Sequence, residues 1–433
     1  MRFLLNSLYL VALCVISPVV LYRMIRYGRY KKGFADRLGR IKRNNPEKKC
    51  VWIHAVSVGE VNAAKTVVSE LEKRLSDYEI VISTTTDTGY ARATAIYGDR
   101  HKVIYFPFDL SWIMERAFAN IKPAICLLME LEVWPNFVEI ANRRKIPVAV
   151  VNGRISDKSF GRYKKVTAIT KRIFGGIDLI LCQTDEYAGR FIEIGAKAEK
   201  VVVTGSLKYD TAQICDKVAG ADEIASLLGI GEQTLIVAGG TGDDEEGIIL
   251  DAYRNIISNL QCRKCRLVIV PRKPERFNEV AGVIKQRGFG LLRYSEAAKA
   301  ANTTATDSQT VILGDTMGQL RKFYSLATLI FVGRSLVPMG GSDMMEAAAL
   351  GKCTMFGPHA FNFRQTVKEL LDGGGAILVE NSQQLEETLK KCLLEPEYAR
   401  KIAANGQLVI KNNQGATAKT IEQIEKLLRA CEK

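Results

Sequence analysis

The sequence predicts an α/β protein built from two doubly wound, Rossmann-like domains. At 433 residues the chain exceeds what one ordinary hydrophobic core accommodates. Short runs rich in β-branched residues also alternate with amphipathic helical stretches in both halves, and this alternation indicates parallel sheets covered by helices. Ligands of such sheets gather at the carboxyl ends of the strands, and two facing sheets form an interdomain cleft.

The alternation occurs in two series, which a weakly periodic segment around residues 208–222 separates. We therefore predict one domain over residues 26–212 and a second over 213–433. The last helix of the second domain is a candidate to cross back to the first domain. The small, polar residues 295–309 are predicted to be a solvent loop. The predicted strands are 51–54, 80–84, 103–106, 124–129, 148–152, 179–183, 234–238, 266–271, 310–313, 329–332 and 354–356.

Residues 1–25 are predicted to form a membrane anchor. Residues 3–21 are nearly all apolar, and this length is close to the roughly 20 residues that span a bilayer. A secretory signal peptide is the alternative, but a basic and aromatic flank stands where a small-residue cleavage site would be. Positive charge after the apolar stretch places the remaining chain in the cytoplasm.

The net charge of +14 is concentrated beside this stretch, where residues 22–49 hold eleven Lys or Arg and two acidic residues. Such a patch attracts phosphate groups, either of nucleic acid or of anionic lipid. Because the charge adjoins an apolar segment, we predict contact with an anionic membrane surface and no nucleic-acid binding.

Polar residues follow the first two predicted strands. Ser57 and Gly59 break the first strand in a turn whose backbone N–H groups could face a ligand, and Glu60 lies in the first turn of the next helix. The alternative is that Glu60 only complements the helix dipole. Thr85 lies in a run of hydroxyl residues over 83–88 that can bind sugar or phosphate oxygens or cap a helix.

Two carboxylates follow the predicted strand 124–129. Glu130 and Glu132 are two residues apart, so in extended geometry both point to the same side. A carboxylate pair beside Trp134 at the end of a parallel strand favours a functional site over a solvated face. Arg154 ends the next strand, where it could hold an acidic acceptor or be an ordinary surface residue.

Four turns at comparable strand ends in the second half indicate a phosphate site. The glycine-rich turn 238–244 follows a strand and opens a helix, as phosphate-binding turns do, but it lacks the lysine of a P-loop. The turn 270–276 presents cations suited to phosphate or carboxylate. In the last two turns, 314–320 and 338–346, Gly340 and Gly341 allow close backbone approach, and Glu346 could accept from ribose hydroxyls.

This ordered set of motifs resembles the 3-deoxy-D-manno-octulosonic acid (Kdo) transferases of lipopolysaccharide synthesis. The motifs span nearly the whole chain: FADRLG, SVGE, ELEVWPN, NGRIS, TGSLKYD, PRKPER, GDTMGQL and FGPHAFNF. The resemblance implies a GT-B fold with an N-terminal acceptor lobe and a C-terminal donor lobe, attached to the inner membrane. It also implies CMP-Kdo as donor and the phosphorylated glucosamine disaccharide precursor of lipid A as acceptor.

The resemblance implies a role for each matching residue. Glu60 is the implied general base, and Glu130 and Glu132 are a second acidic site. The acceptor-binding set consists of Ser57, Gly59, Thr85 and Arg154. The donor-binding set consists of Gly239, Gly240, Thr241, Arg272, Lys273, Met317, Gly318, Gln319, Gly340, Gly341 and Glu346.

The donor-lobe motifs depart from the family pattern at several positions. The family usually has His in place of Lys273 and Glu in place of Gln319. Its GGHN motif ends here in Ser342 and Asp343, and its GSTH motif ends in Gly242. These departures keep two alternatives open: a GT-B transferase or epimerase with another nucleotide sugar, and a membrane-tethered nucleotide-sugar binder without catalytic activity.

The expected chemistry is a single displacement at the anomeric carbon with inversion. Glu60 would take the proton from the acceptor hydroxyl as its oxygen attacks. The sequence has no His/Asp cluster of metal-ligand spacing, so we predict that CMP-Kdo is a substrate and that no metal or other cofactor is needed.

Overall fold

The chain folds as two compact units. The structure, a computed structural model, describes residues 33–259, 264–300 and 307–431, together with single positions between 6 and 26. Unit 1 comprises Met1–Thr211 and Gln414–Lys433, and unit 2 comprises Ala212–Asn413.

Most of the predicted anchor lies outside the described residues. Two of its described side chains contact later residues of unit 1: Asn6 Nδ2 donates to Ser111 Oγ over 2.7 Å, and the Tyr9 hydroxyl donates to Asp109 over 3.1 Å. Among the described residues we find no helix whose length and apolar character would let it cross a bilayer.

Unit 1 is built on a seven-stranded parallel sheet in the order β3-β2-β1-β4-β5-β6-β7. Its strands are β1 (Lys49–His54), β2 (Tyr78–Thr84), β3 (Lys102–Tyr105), β4 (Ile125–Met129), β5 (Val148–Gly153), β6 (Leu179–Cys182) and β7 (Val201–Val203). Its helices are α1 (Phe34–Arg37), α2 (Val58–Ala63), α3 (Lys65–Arg74), α4 (Asp87–Tyr97), α5 (Ser111–Ile121), α6 (Pro135–Arg143), α7 (Asp157–Lys164), α8 (Thr167–Gly175), α9 (Asp185–Glu193) and α10 (Leu207–Thr211).

Hydrophobic cores cover both faces of this sheet. On one face the ring of Trp52 packs edge-on against Phe118 and Phe137, with centroids 5.2 and 4.9 Å away. Because the central strands β4 and β5 are buried on both sides, they have the continuous apolar sequences typical of parallel sheets.

Unit 2 repeats this architecture with the strand order β10-β11-β9-β8-β12-β13-β14, again all parallel. Its strands are β8 (Thr234–Thr241), β9 (Cys265–Pro271), β10 (Gly290–Arg293), β11 (Thr310–Leu313), β12 (Leu329–Val332), β13 (Cys353–Phe356) and β14 (Ile377–Leu378). Its helices are α11 (Ala221–Leu227), α12 (Glu245–Ser258), α13 (Phe277–Gln286), α14 (Tyr294–Ala300), α15 (Leu320–Leu326), α16 (Met345–Ala349), α17 (Arg364–Asp372), α18 (Ser382–Leu394) and α19 (Pro396–Asn413).

The last helix, α20 (Ala416–Cys431), belongs to unit 1. Its apolar face, which includes Ile421 and Ile424, is part of the core on the second face of the unit 1 sheet. Asp210 accepts hydrogen bonds from the backbone N–H groups of Gly415 and Thr417 and so caps this helix.

The prediction of two parallel-sheet, Rossmann-like units is confirmed. The predicted strands correspond to β1–β6, β8, β9 and β11–β13, whereas β7, β10 and β14 were not predicted. The predicted solvent loop over 295–309 is wrong at its start, because α14 covers Tyr294–Ala300. Since all strands of a sheet are parallel, their carboxyl ends share one edge, and that edge carries the candidate site residues of each unit.

Candidate functional site

The carboxyl edge of the unit 1 sheet carries three neighbouring carboxylates. Glu60 lies on α2, which follows β1, and Glu130 and Glu132 follow β4, the strand beside β1. They are close enough for their charges to interact, because Glu130 raises the pKa of Glu60 and both raise the pKa of Glu132. The structure thus brings together the general base and second acidic site that the resemblance implied.

Glu60 is held by two hydrogen bonds at the start of α2. Its Oε1 accepts from Ser57 Oγ over 2.7 Å, and its Oε2 accepts from the Val56 backbone N–H over 2.9 Å. Ser57 Oγ in turn accepts from the Glu60 backbone N–H over 3.3 Å. Ser57 is thus the N-cap of α2, and Glu60 is the acidic residue of its first turn, where its charge also complements the helix dipole as the alternative expects.

Burial makes Glu60 more basic than an ordinary carboxylate. Its side chain is part of a residue only 8% exposed, and burial raises its pKa while the Ser57 and Val56 hydrogen bonds lower it. A carboxylate that is fixed in position and has a raised pKa accepts a proton more readily than an ordinary carboxylate.

The geometry expected for Glu130 and Glu132 is wrong. They lie in a turn and not in extended chain, because Glu130 has a left-handed φ of 54°. The turn is closed by a 3.2 Å hydrogen bond from the Glu132 N–H to the Met129 carbonyl. Burial, followed by repulsion from Glu60 and Glu130, raises the pKa of Glu132 to about 7.

Two hydroxyl residues that follow β2, Thr85 and Thr86, differ in their hydrogen bonding. Thr86 Oγ1 accepts from the Gly89 N–H over 3.0 Å and caps α4, as the capping alternative predicts. The Thr85 hydroxyl is buried and has no hydrogen-bond partner among the residues that the structure describes. Gly59 and Arg154 are exposed near the same edge.

Arg37 is a cation at this edge that sequence reasoning did not assign to the site. It is 7% exposed, and its guanidinium lies 4.3 Å from the centre of the Tyr105 ring. Its Nη2 donates to the Thr85 carbonyl over 3.1 Å. The residue belongs to the FADRLG motif, which precedes the first strand, so strand-end reasoning could not place it.

Unit 2 has a cavity of about 810 Å³ at the carboxyl edge of its sheet. Three predicted donor-binding residues, Arg272, Lys273 and Met317, line it. The full lining is Asp243, Arg272, Lys273, Pro274, Glu275, Arg276, Glu279, Met317 and Arg334. The cavity therefore offers the cations that a phosphate group requires.

Not every cation of this cavity is available to a ligand. Arg276 is 7% exposed and forms ion pairs with Glu246, Asp243 and Glu279, over 2.6, 2.6 and 2.8 Å. Its charge is already compensated by three carboxylates. Arg272 and Lys273 are exposed at the end of β9, and they are better placed to meet an anion.

The predicted phosphate turn around Gly239, Gly240 and Thr241 is part of strand β8, and helix α12 begins only at Glu245. A Cβ on Gly239 would lie 2.4 Å from the Tyr324 hydroxyl, so this glycine is required by packing. Thr241 is buried and donates to Glu246 Oε1 over 2.7 Å. Sequence reasoning ended the strand too early because glycines usually interrupt strands.

Gly340 and Gly341 follow β12 with φ values of 91° and 82°, which favour glycine. The Gly341 N–H donates to the Arg334 carbonyl over 2.8 Å, and Ser342 Oγ donates to the Gly240 carbonyl over 2.8 Å. The two glycine-rich segments of the predicted donor site therefore contact each other through Ser342.

Glu346 lies near the start of α16 in a mixed charge environment. The residue is exposed, yet partial desolvation and the charge of Asp343 raise its pKa, and Arg321 and Arg272 lower it. Arg272 therefore lies close to Glu346 as well as lining the cavity. Two further predicted residues, Gly318 with φ 82° and Gln319 at the N-cap of α15, follow Met317.

Glu245 and Arg334 are two residues that sequence reasoning missed in unit 2. The Glu245 carboxylate is fully buried and accepts from the backbone N–H groups of Gly242, Arg334, Ser335 and Leu336. Arg334 has a left-handed φ of 60°. A non-glycine residue in this conformation is uncommon, but one sequence gives no indication of it.

Metal binding was not expected for this chain. Within residues 33–259, 264–300 and 307–431 and the single positions before them, no group of three or more His, Cys, Asp or Glu side chains is arranged to hold an ion. Metal-free catalysis remains a prediction.

Comparison with known proteins relates both units to one family. Residues 32–211 match the family model described as 3-deoxy-D-manno-octulosonic-acid transferase (kdotransferase). The 3-deoxy-D-manno-octulosonic acid transferase of Haemophilus influenzae is 31% identical over 429 residues, covering 99% of each chain. That of Bordetella pertussis is 29% identical, covering 97% of this chain and 99% of its own.

A solved structure extends the comparison to the fold. The UDP-GlcNAc 2-epimerase of Neisseria meningitidis bound to UDP-GlcNAc aligns with a TM-score of 0.56 at 15% identity, covering 87% of this chain and 100% of its own. At that identity the likeness concerns the fold alone. On the full-length similarity to the Haemophilus protein, this chain belongs to the Kdo transferase family and is a glycosyltransferase.

Proposed function

We propose that this protein transfers Kdo from CMP-Kdo to the lipid A precursor, with inversion at the anomeric carbon and Glu60 as general base. The observation that carries the proposal is the Glu60 carboxylate, which is buried, fixed and raised in pKa at the carboxyl edge of the unit 1 sheet. Membership of the Kdo transferase family supports the donor and the acceptor class.

The proposed reaction needs one proton acceptor and one anion site. The acceptor hydroxyl oxygen forms a bond to the anomeric carbon, the bond from that carbon to the CMP phosphate oxygen breaks, and the hydroxyl proton moves to Glu60. Each Glu60 oxygen accepts one hydrogen bond, and because a carboxylate has about four acceptor positions, capacity remains for the incoming proton.

The leaving CMP carries the negative charge that develops in this step. Arg272 and Lys273 are the exposed cations of the unit 2 cavity, and we assign them to its phosphate. Glu346, close to Arg272, is assigned to the ribose hydroxyls. On the acceptor side, Arg37 beside Thr85 is suited to a phosphate of the lipid A precursor.

The N-terminal apolar stretch and its basic flank are proposed to hold the enzyme at the cytoplasmic face of the inner membrane. Attachment raises the local concentration of a lipid-linked acceptor. Membrane fractionation of the full chain tests this part, and recovery of the whole enzyme in the soluble fraction would contradict it.

The central experiment incubates the pure protein with CMP-Kdo and lipid A precursor and identifies the product by mass. Glu60→Gln should lower kcat by about 10²- to 10⁴-fold and leave CMP binding unchanged. UDP-GlcNAc in place of CMP-Kdo tests the alternative of another nucleotide sugar, which the departures at Lys273 and Gln319 keep open.

Thr86→Ala is the control, because it removes a capping hydroxyl from another helix of the same unit and leaves Glu60 and its hydrogen bonds in place. If Glu60 only caps α2, both variants should lose about 1 kcal/mol of stability and similar activity. Near-normal turnover by Glu60→Gln, with CMP-Kdo as donor, would refute Glu60 as the base.

A further inference from the structure

Arg334 is held in an unfavourable backbone conformation at the edge of the unit 2 cavity. It follows β12 with a φ of 60°, in a region that residues with a Cβ adopt rarely. Strain of this kind persists where surrounding contacts impose it, and such positions cluster at ligand sites. The side chain lines the same cavity as Arg272 and Lys273.

The surrounding backbone fixes Arg334 on both sides. Its N–H donates to the buried Glu245 carboxylate, and its carbonyl accepts from the Gly341 N–H over 2.8 Å. Its Nη2 donates to the Met339 carbonyl over 3.0 Å. The Nε–H is buried, and no described residue accepts from it, so part of the guanidinium is positioned without its hydrogen bonds being satisfied.

Gly242 provides the space that the Arg334 side chain fills. A Cβ added to Gly242 would lie 2.9 Å from Arg334 Cγ and 2.5 Å from Met339 Sδ. The motif that this chain resembles has His at position 242. A side chain at 242 and the present placement of Arg334 therefore compete for one volume beside the cavity.

We propose that Arg334 binds the phosphate of the nucleotide donor. Its side chain occupies the volume that a side chain at position 242 would need. The inference rests on the proposed function and adds a residue to its donor site. A planar guanidinium with free N–H groups suits a phosphate oxygen pair. Unlike Arg276, which three carboxylates neutralise, Arg334 has its side-chain hydrogen bond to a neutral carbonyl.

The first test measures CMP and cytidine binding by calorimetry on the full chain. Arg334→Gly should raise the Kd for CMP by about 10- to 100-fold, as expected for a lost charge-assisted contact, and leave cytidine binding nearly unchanged. Its Tm should stay equal or rise, because glycine tolerates positive φ. This combination separates a binding role from a structural one, for which binding and Tm would fall together.

Arg400→Gln is the charge-matched control for Arg334→Gln. Arg400 is exposed on α19 and paired with Glu397 in the same unit, so its substitution should leave CMP binding unchanged. Unaltered CMP binding by both Arg334 variants, with a wild-type protein that binds CMP, would overturn this inference alone. A wild-type protein that fails to bind CMP would overturn the proposed donor as well.

A double-mutant cycle tests the competition for space. Gly242→His alone should weaken CMP binding, because the imidazole displaces Arg334 and Met339. Gly242→His combined with Arg334→Gly should bind CMP more tightly than either single variant, because the histidine then occupies the emptied volume. Additive losses in the double variant would contradict the shared position.

Discussion

Each unit has a buried glutamate at the start of the helix that follows its first strand along the chain, and the two glutamates differ in how many hydrogen bonds they accept. In unit 2, Glu245 accepts from four backbone N–H groups. In unit 1, Glu60 accepts from one backbone N–H and one hydroxyl. Burial raises the pKa of both.

The number of hydrogen bonds that each carboxylate accepts therefore distinguishes Glu245, whose acceptor positions are filled by the backbone, from Glu60, which has acceptor positions left. The acceptor capacity of Glu245 is used by the backbone that it organises, including the strained segment at Arg334. Glu60 has capacity left, and its neighbours are the carboxylates Glu130 and Glu132, which favour uptake of a proton. Burial and a raised pKa alone would not have distinguished the two residues.

Glu245→Gln should have the largest effect on stability. One carboxylate oxygen accepts from Ser335 and Leu336, and the other from Gly242 and Arg334. Glutamine replaces one of these oxygens with an NH₂ group that must face backbone N–H donors. We expect a loss of about 2–4 kcal/mol in the free energy of unfolding, measured in urea.

Glu232→Gln, at an exposed position of the same unit, controls for the loss of one charge and should change stability by less than about 0.5 kcal/mol. The loss of stability in Glu60→Gln should lie between the losses in Glu245→Gln and Glu232→Gln, because glutamine keeps an acceptor oxygen for one of the two hydrogen-bond donors to Glu60. An equal loss for Glu245→Gln and Glu232→Gln would remove the contrast between the two glutamates.

The sequence predicts the interior strands of both sheets and the edge strand β3, which has three buried residues, but it misses the other three edge strands. The missed strands β7, β10 and β14 all lie at sheet edges, and each has at most one buried residue. A continuous apolar run is diagnostic only where a strand is covered on both faces. Edge strands form through pairing with a neighbour, which their own composition does not reveal.

The site was predictable where a residue immediately follows a strand, because parallel topology gathers those positions at one edge. The positions of Glu60, Glu130, Glu132, Arg272 and Lys273 at these edges were predicted in this way, and their roles remain predictions. Geometry that depends on the backbone of a turn was not predictable, as the left-handed φ of Glu130 shows. Arg37 and Arg334 were not assigned to a site because their surroundings depend on the neighbours that tertiary packing supplies.

Glu132→Gln should give the next largest effect, and one that depends on pH. The pKa of Glu132 rises from an ordinary 4.5 to about 7 on folding, so the folded protein retains a proton that the unfolded chain has lost between these values. The free energy of unfolding of the wild-type protein therefore falls as the pH rises from about 4.5 to 7. At pH 8 the variant should be more stable than wild type by about 1–2 kcal/mol, after allowance for solvent screening.

At pH 4.5 the same pair of proteins should differ little, since Glu132 is then protonated when folded. Asp109, whose pKa burial also raises to about 7, is present in both proteins, so the difference between their urea midpoints isolates Glu132. A difference that is the same at pH 4.5 and pH 8 would mean that Glu132 is not the titrating group.

Glu130→Gln should give the smallest effect and the most specific one. Glu130 raises the pKa of Glu60 through its charge, so neutralising it should lower that pKa. If Glu60 is the base, the acid limb of kcat/KM should move to lower pH by about 0.5 units, as expected for charges separated by partly screened protein.

Glu47→Gln, exposed in the same unit, removes the same charge at a distance and should leave the limb in place. High salt should shrink the difference between the two variants only slightly, because Glu60 is buried. An acid limb that stays fixed in Glu130→Gln would show that the titrating group lies elsewhere, even if Glu60→Gln is inactive.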